Sequence, residues 1–408
     1  MTDLNSDALK TFPPSREEGL RRLNAFTTKA GRAYAAGRNT DPGPDADQAV
    51  SKLSPYIRHR LILEQEVIET VLETHSLRGS EKYIQEVMWR TYFKGWLEHR
   101  PTVWDSYKDG MRAALDNCET DETLRGEYEA AISGQTGIPY FDSWVNELIQ
   151  YGYLHNHTRM WFASIWIFTL DLPWELGADF FLRHLLDGDP ASNTCSWRWV
   201  GGLHTKGKTY LARPSNIERF TNGRFSPGGE LAPEAPPLRE DAEHMQRPLP
   251  VSDTLDTTGP IGLLLHEEDM DGGHISDRFN IKSCAGLLCT DARSPLTVPD
   301  DVKTFARSAM QDALERHGGG PITQTPDAVL EWAAQNKLST VALPYAPTGP
   351  IRDRLQAVRK KLGDNGVNTA ALIRDYDSAS WPYADRGFFK LKKKMPRIID
   401  AFSKASLF

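Results

Sequence analysis

Tryptophan is the most unusual residue type in this sequence, because its eleven copies are unevenly distributed. Nine of them lie between positions 89 and 199. Indole is easily oxidised and offers a broad stacking face, so such a cluster could bind flat aromatic rings and pass single electrons. A large aromatic core would use the same residues, although each buried indole N–H then needs a partner. Composition alone leaves these two interpretations equal.

Two polar segments lie within the tryptophan-rich region and carry groups that could bind a ligand. In the first, Asn156, Arg159 and Met160 share one helix face, because they are spaced three and four residues apart. In the second, Asp187 could pair with Arg159 in a charge-assisted contact. The ordinary alternative for Asp187-Gly188-Asp189 is a turn that caps a helix. Neither segment alone decides between a binding site and a structural role.

The charge of the chain restricts its partners only weakly. The formal net charge is −7, which argues against a protein covered in basic surface. DNA binding remains open, because phosphate contacts depend on local charge. Residues 201–224 and 390–397 are locally basic, and for the second run an ordinary solvated face is the favoured interpretation.

The composition predicts a soluble globular protein of two domains, with 39% hydrophobic and 25% charged residues among 408. The chain has no apolar run near the roughly 18 residues that a membrane span needs, and its polar start lacks the features of a secretory signal. The four cysteines form no CxxC pair, so a disulfide framework or a metal site is not expected. We expect a cytoplasmic monomer without metal or membrane partner.

Hydrophobic periodicity predicts helices in the first half of the chain and an alternation of strands and helices in the last third. The predicted early helices are Leu53–Leu72, Glu81–Glu98, Trp144–Tyr151 and His157–Leu170. The predicted strands are Ile261–Leu265, Ala285–Leu288, Thr340–Pro344 and Ala370–Arg374, and the helices among them are Val302–Arg316, Val329–Gln335 and Ile351–Leu362. Between these regions, from Ser226, the chain is rich in Pro, Gly and Glu, which is typical of a linker or a surface-hugging connection.

We therefore predict an all-helical domain over residues 1–225, a Pro/Gly-rich linker over 226–258 and an α/β domain over 259–408. Alternating strands and helices favour an open parallel, Rossmann-like sheet in the last of these. The sequence contains neither GxGxxG nor GxxxxGK[ST], so nothing indicates a standard dinucleotide or P-loop site there.

Several blocks of the helical region, taken in order, resemble the photolyase/cryptochrome family. The blocks are Tyr34, Ser51–Tyr56, Tyr83–Arg90, Thr136–Pro139 with Asp142, Asn156–Met160 and Asp187–Trp199. Their order and most of their internal spacing match the family. The resemblance implies an all-helical FAD-binding domain of the photolyase type.

The resemblance also implies which residues hold the cofactor. Asn193 is similar to the residue that faces the reactive N5 of the flavin, Arg159 and Asp187 to the ion pair beside the ring, and Asp189 to the acid that receives a flavin or adenine N–H. Ser51–Tyr56 resembles the loop that wraps the phosphates, which Tyr34 also contacts. The full predicted set is Tyr34, Ser51, Lys52, Leu53, Ser54, Tyr83, Glu86, Arg90, Asn156, Arg159, Asp187, Asp189 and Asn193.

Other positions correspond to the family's substrate pocket. Glu86 and Asn156 match the pair that contacts damaged bases, and Trp89 and Trp199 match the aromatic walls that hold a flipped-out pyrimidine dimer. The predicted DNA and substrate contacts are Arg38, Trp89, His157, Met160 and Trp199. His157 departs from the family, which usually has an arginine here, and a neutral histidine would weaken one DNA contact.

The family's electron-transfer chain can be carried over in part. Trp197 resembles the proximal tryptophan and Trp174 the middle one. Trp104 is a candidate for the distal member, but its spacing differs from the family, so a core role is an equal alternative.

Asn156 and Met160 indicate the branch of the family, because members that repair (6-4) photoproducts tend to have histidines at these positions. The resemblance therefore implies blue-light-driven, FAD-dependent repair of cyclobutane pyrimidine dimers in DNA, a lyase activity. The alternative is a cryptochrome-type photoreceptor that uses the same flavin and tryptophans. A flavoprotein without light chemistry is a weaker third possibility.

The domain order departs from the family, which usually begins with its α/β domain. Thr340–Phe402 resembles the later part of that domain, and Thr258–Met270 could supply its first strand. A circular permutation is therefore favoured over an unrelated α/β domain. The basic turn that usually follows the first strand is replaced by His266–Asp271, which we interpret as a solvated loop rather than a metal site, and an antenna chromophore is left open.

Overall fold

The computed structural model describes residues 6–257 and 259–405. Helices occupy most of the chain up to Phe220. They are α1 (Asp7–Thr11), α2 (Arg16–Thr27), α3 (Arg32–Gly37), α4 (Ser54–Arg58), α5 (Glu64–Thr74), α6 (Leu77–His99), α7 (Thr102–Thr120), α8 (Glu122–Ser133), α9 (Pro139–Tyr151), α10 (Asn156–Ser164), α11 (Trp174–His184), α12 (Pro190–Val200) and α13 (Pro214–Phe220). The predicted helical region is confirmed.

The longest helix, α6, begins four residues before the predicted Glu81. Its N-cap is Ser76, whose side chain accepts a hydrogen bond from the backbone N–H of Gly79. This bond satisfies one of the free amide groups of the first turn. A mainly apolar face that includes Ile84, Met88 and Tyr92 is buried, so α6 is held firmly in the helical core.

The predicted helix Leu53–Leu72 is wrong as a single element, because the chain breaks between α4 and α5. Arg60 lies in the break with a φ of 51°, a left-handed backbone conformation. Its side chain is buried and pairs with Asp269 and Asp377. Hydrophobic periodicity could not show this break, because its cause is a set of ion pairs with distant residues.

The predicted helix His157–Leu170 is confirmed in position but changes type partway. It consists of α10 followed by a π-helical turn, Ile165–Thr169, closed by a 2.9 Å hydrogen bond from Leu170 N to Ile165 O. Such turns occur often at functional sites.

The Pro/Gly-rich segment after Phe220 follows the protein surface. Leu238 N donates to Gly201 O at 2.9 Å, and the Glu240 carboxylate pairs with Arg198. Arg247 N donates to His99 O at 2.7 Å. The surface-hugging interpretation thus agrees with these contacts. Thr258, the predicted end of this segment, lies outside the described residues.

The last third of the chain forms a parallel sheet, as predicted, and this sheet has five strands. The strands are β1 (Ile261–His266), β2 (Ile281–Leu287), β3 (Ile322–Thr323), β4 (Thr340–Pro344) and β5 (Asn368–Leu372), in the order β3-β2-β1-β4-β5. The helices are α14 (Gly273–Ser276), α15 (Asp300–Arg316), α16 (Pro326–Gln335), α17 (Pro350–Asp364), α18 (Asp375–Ser380), α19 (Phe388–Lys392) and α20 (Met395–Ala405). The short edge strand β3 was not predicted, because two residues carry no periodic signal.

The strand order reverses between β1 and β4, which is where open α/β sheets usually bind ligands. In this protein His266, at the end of β1, reaches across the crevice, with its Nε2 2.7 Å from Pro344 O at the end of β4. The next three residues, Glu267, Glu268 and Asp269, are buried. The predicted solvated loop is therefore wrong: this turn lies against the helical region.

One apolar core runs from the helices of the first half through α15 to one face of the sheet, and a second core lies on the other face under α16 and α17. Phe305 of α15 joins the two regions, with its ring 5.6 Å from that of His59 and 6.3 Å from that of Tyr56. The four cysteines are buried free thiols. Across the described residues, no helix is both long and apolar enough to cross a membrane.

Candidate functional site

Three helices bring the predicted site residues together. Helix α6 presents Tyr83, Glu86 and Arg90 at spacings of three and four residues, so they share one face. Helix α12 packs against α6 and also contacts α10. The residues expected at one site from separate parts of the sequence therefore lie on elements in mutual contact.

Arg159 and Asp187 form the ion pair that the sequence predicts. Two parallel hydrogen bonds join them, Nη1 to Oδ1 at 3.0 Å and Nη2 to Oδ2 at 2.8 Å. The Nε of Arg159 donates to Leu154 O at 2.9 Å, and its guanidinium carbon lies 5.4 Å from the centre of the Tyr153 ring. Burial alone would lower the pKa of Arg159, but Asp187 outweighs it and raises that pKa. The pair is a bidentate ion pair that is also held by the backbone at Leu154.

Asp189 caps the first turn of α12. Its Oδ1 accepts from Ser192 N at 2.7 Å, and its Oδ2 lies 2.8 Å both from Arg90 Nη1 and from Lys94 Nζ. Burial would raise the pKa of Asp189, but Lys94 and Arg90 hold it well below its ordinary value. An ionised carboxylate has about four acceptor sites, so these three donors leave room for one more.

Asn193 lies one turn further along α12 and is oriented by the backbone. Its side-chain nitrogen donates to Ala178 O at 2.7 Å. The amide oxygen is then the group free to meet a ligand N–H. In the same turn, Ser192 Oγ is buried and has no hydrogen-bond partner among the described residues.

The predicted phosphate loop joins α3 to α4. Leu53 is buried and anchors it, whereas Ser51, Lys52 and Ser54 are half-buried. Lys52 has a φ of 51°, and burial lowers the pKa of its ammonium. Tyr34 lies edge-on to Tyr83 of α6, with ring centres 5.0 Å apart. The loop can offer a cation and hydroxyl groups to an anionic ligand.

Glu86 faces the same side of α6 and pairs with Arg38. Both side chains are part-exposed. Burial raises the pKa of Glu86, and the opposing effect of Arg38 does not cancel that rise. Arg38, predicted to contact DNA, is therefore bound to a carboxylate of the protein, and its contact with DNA stays a prediction.

The two predicted aromatic walls are each supported by a second aromatic ring. Trp89 stacks on Phe388 of α19, with centres 3.8 Å apart and planes at 10°, and Trp199 stacks on Tyr210 at 5.7 Å and 29°. Both tryptophans are only partly buried. Each indole thus has one face held by the protein and remains partly exposed.

His157, predicted to contact DNA, is held mainly by groups of the protein, and its contact with DNA stays a prediction. Its ring is buried, stacks on Trp161 at 4.2 Å, and has Nδ1 2.9 Å from Asn39 O and Nε2 3.3 Å from the Tyr210 hydroxyl. Burial also lowers the pKa of His157. A neutral imidazole with both nitrogens engaged supports the wall around Tyr210. The neighbouring residue Asn156 is exposed and Met160 half-buried, so these two remain available to a substrate.

The predicted electron-chain residues are buried and lie among other aromatic rings. Trp197 has its ring 5.2 Å from Phe181 and 6.2 Å from Trp166. Gly177 of α11 leaves space for the Trp197 ring to pack against the helix that begins at Trp174. Trp174 in turn lies 5.8 Å from Tyr107, which lies 5.1 Å from Trp104.

Two aromatic residues of this region were missed in the sequence. Tyr107 bridges Trp104 and Trp174, and its position three residues after Trp104 on one helix face was an available signal. Trp166, beside Trp197, carried no distinguishing signal, because it lies in a segment that is apolar all round.

Residues 83–230 match the family model for the FAD binding domain of DNA photolyase. This part of the chain is a FAD-binding domain of the photolyase type. The match begins at Tyr83 of α6 and includes α10, α12 and the loop that holds Asp187. The matched stretch contains most of the residues predicted to hold the cofactor, whose individual roles stay predictions.

Proteins named deoxyribodipyrimidine photo-lyase are similar to parts of this chain. That of Streptomyces griseus is 34% identical over 161 residues, which cover 39% of this chain and 34% of the relative. That of Thermus thermophilus is 32% identical over 198 residues, 48% of this chain and 45% of the relative. The chain thus spans less than half the length of these photolyases.

Solved structures of the family are similar over a comparable share. A bacterial class III photolyase from Agrobacterium tumefaciens is 26% identical, with a TM-score of 0.46 over 54% of this chain and 45% of the other. A cryptochrome from Synechocystis is 25% identical, with a TM-score of 0.41 over 51% and 43%.

The residues present fit FAD, the cofactor of this photolyase-type domain. The Asn193 oxygen and the fourth acceptor site of Asp189 suit ring N–H groups, and Lys52 with its neighbouring hydroxyls suits a diphosphate. The unpartnered Ser192 Oγ lies in the same turn as Asn193 and adds a polar atom that a bound ligand could satisfy. The fixed Arg159–Asp187 pair supplies one charge of each sign. The individual contacts to FAD stay predictions.

Proposed function

We propose that this protein is a blue-light-driven, FAD-dependent enzyme that splits cyclobutane pyrimidine dimers in DNA. The observation that carries the proposal is the arrangement of Trp89 and Trp199, each stacked on another aromatic ring of the protein and partly exposed. Aromatic walls of this kind suit a flipped-out pair of bases, which have flat faces and little charge. The curated relatives named as photolyases support the same proposal.

The two aromatic walls and the residues Asn156 and Met160 are suited to different parts of a bound dimer. Stacking on each indole is worth about 1–3 kcal/mol per base. Asn156, exposed at the start of α10, can donate and accept hydrogen bonds at base edges, and Met160 provides an adaptable apolar surface. Burial of a dimer between them would exclude water from the reacting bonds.

Glu86 is the group suited to hold a proton near the dimer. Because burial raises its pKa, a larger fraction stays protonated than for an exposed glutamate. A protonated carboxyl can donate a hydrogen bond to a carbonyl oxygen that gains negative charge. Reduced FAD, held by Asn193, Asp189 and the Arg159–Asp187 pair, would supply light-driven one-electron chemistry to this pocket.

Exposed cations beside the Trp199 wall are suited to the DNA backbone. Lys206, Lys208 and Arg213 are exposed, and among the described residues none of them forms an ion pair. Arg213 also lines a groove of about 490 Å³ with Tyr210 and Asn216. Phosphate contacts from such side chains position a duplex without reading its sequence.

The last third of the chain is proposed to be the family's α/β domain in a permuted order. Its all-parallel sheet with order β3-β2-β1-β4-β5 supports this. It follows the helical domain, and its last helices return to it, with α19 against α6 and α20 against α5. The predicted domain boundaries remain part of this proposal.

A photoreceptor of the cryptochrome type is the second candidate. The burial of His157 favours it, since this position then supplies no charge to DNA. The aromatic residues from Trp197 to Trp104 would serve a sensor equally well.

Illumination of the purified protein with a thymine-dimer oligonucleotide tests the proposal. With FAD bound and fully reduced, we expect dimers to be lost under blue light and to persist in the dark. Binding of the damaged oligonucleotide should weaken with salt, because phosphate contacts release counterions. Persistence of the dimers in light, in protein whose FAD is bound and reduced, would contradict repair and favour the sensor.

A further inference from the structure

The acidic turn after β1 is a buried, charged segment that connects the two halves of the molecule. Glu267, Glu268 and Asp269 are each at most 3% exposed. Buried carboxylates are tolerated only when they are paired and hydrogen-bonded. The ion-pair partners of these three carboxylates therefore indicate the role of their charges.

Glu268 pairs with two cations of the helical region. Its Oε2 lies 2.6 Å from Lys94 Nζ on α6, and its Oε1 lies 2.8 Å from Arg58 Nη2 on α4. The neighbouring Glu267 contributes its backbone oxygen, which accepts from Arg58 Nη1 at 3.2 Å and lies 3.0 Å from His59 Nδ1. Burial would raise the pKa of Glu268, but Arg58 and Lys94 lower it to about 2, so it stays ionised.

The same two cations hold the loop that enters the flavin site. Lys94 Nζ lies 2.8 Å from Asp189 Oδ2, and Arg58 Nε donates to Gly188 O at 2.7 Å. Gly188 lies between Asp187, which pairs with Arg159, and Asp189, which caps α12. Each cation thus makes one contact with Glu268 and another with the loop 187–189.

We propose that Glu268 is a positioning residue of the flavin site, holding Lys94 and Arg58 so that they fix the loop 187–189. Through this carboxylate, the α/β region then helps to set the position of Asp187, Asp189 and the start of α12. The inference rests on the assignment of the cofactor site made above. It does not depend on repair activity.

The chemistry explains why an ion, and not an apolar contact, occupies this position. Without Glu268, Lys94 and Arg58 would be two buried cations near Arg90, with Asp189 as their nearest remaining carboxylate. Their mutual repulsion and lost hydrogen bonds would draw both side chains towards water or towards Asp189. Either movement shifts the loop that presents Asp187 to the site.

A second buried pair between the same two regions provides a matched control. Glu98 of α6 pairs with Arg352 of α17 at 2.6 Å and accepts from Thr348 N at 2.6 Å. It is almost as buried as Glu268, and its hydrogen bonds involve neither the loop 187–189 nor α12. If Glu268 only docked the two regions together, its loss and that of Glu98 should have the same consequences.

The test compares Glu268→Gln with Glu98→Gln in the full-length protein. FAD is removed and titrated back, and its dissociation constant is measured by quenching of flavin fluorescence, together with the circular dichroism of bound flavin. We expect Glu268→Gln to weaken FAD binding at least tenfold and to change the circular dichroism of bound flavin. We expect Glu98→Gln to change the FAD dissociation constant less than twofold. The same FAD dissociation constant in Glu268→Gln and the wild type would overturn the proposal. An equal loss of FAD affinity in Glu268→Gln and Glu98→Gln would also overturn it.

Lys94→Met keeps the inference testable if Glu268→Gln does not fold, because it leaves the Arg58–Glu268 pair in place. We expect at least a fivefold loss of FAD affinity, and an unchanged affinity would overturn the proposal. A protein that binds FAD normally but repairs no dimers would contradict the proposed function and leave this inference intact.

Discussion

The tryptophans of this protein fall into two groups that differ in exposure. Trp89 and Trp199 are partly exposed, and each stacks on a second ring that comes from a later part of the chain. Trp197, Trp174 and Trp104 are buried, and they meet other aromatic rings at edges and angles. Tryptophan therefore occurs in two different environments within a single domain.

This difference indicates two uses of the same side chain. A partly exposed indole with one face held rigidly can bind a base on its other face without first losing much conformational freedom. A buried indole cannot stack on a substrate, but it can exchange an electron with a neighbouring ring. Substitutions in each group should therefore affect different measurements, and the following predictions test that separation.

The largest effect is expected for Trp197→Phe, in the buried group. Removal of the oxidisable indole should slow reduction of bound FAD by light about a hundredfold or more, while FAD affinity and dimer binding stay unchanged. Transient absorption of the flavin measures this rate. Trp144→Phe is the control, because Trp144 is equally buried but packs on Trp161, away from Trp197. Equal rates in Trp197→Phe and the wild type would remove Trp197 from the electron chain.

Trp199→Ala should have the next largest effect, in the exposed group. Loss of one stacking face of about 1–3 kcal/mol corresponds to roughly a 5- to 150-fold weaker binding of a dimer-containing oligonucleotide. Photoreduction should be retained. Binding is measured by fluorescence anisotropy against an undamaged oligonucleotide of the same sequence. If Trp199→Ala binds damaged and undamaged DNA with the same affinities as the wild type, the Trp199 ring does not stack on the dimer.

Local blocks of sequence were sufficient to predict the family resemblance, and the roles of the two tryptophan groups stay predictions. The blocks around Trp89 and Trp197 have a characteristic order and spacing within short stretches of sequence. Strand β4 was predicted with its observed bounds, because a short apolar run between polar residues is sufficient to indicate a buried strand. Elements and residues with local patterns could thus be predicted.

Long-range contacts account for what the sequence did not show. The break at Arg60 and the burial of Glu268 depend on charges more than 150 residues away, so no window of sequence contains both partners. His157 was assigned to DNA by position, but Asn39 and Tyr210, which enclose it, come from separate segments. Buried ion pairs and packed polar rings are tertiary features that hydrophobic periodicity does not report.

Glu86 should make dimer binding, but not photoreduction, depend on pH. Its raised pKa means that it loses its proton over a higher pH range than an exposed glutamate, so its hydrogen-bond donor disappears as pH rises through that range. We expect dimer affinity to fall severalfold, up to about tenfold, over this interval, consistent with one hydrogen bond. Glu86→Gln keeps a donor at every pH and should give a flat profile. A profile of the same slope in both proteins would assign the titration to another group.

The smallest effect is expected for Phe388→Leu, which removes the ring that supports Trp89. An aromatic pair contributes about 0.5–1.5 kcal/mol beyond its buried area, so dimer binding should weaken about 2- to 10-fold while Trp197-dependent photoreduction is unchanged. Phe389→Leu is the matched control, because Phe389 is the next residue and 70% exposed. A weaker affinity in Phe388→Leu alone would show that the last helices of the chain shape the exposed wall. Equal affinities in both variants would mean that Trp89 is held by α6 without help from α19.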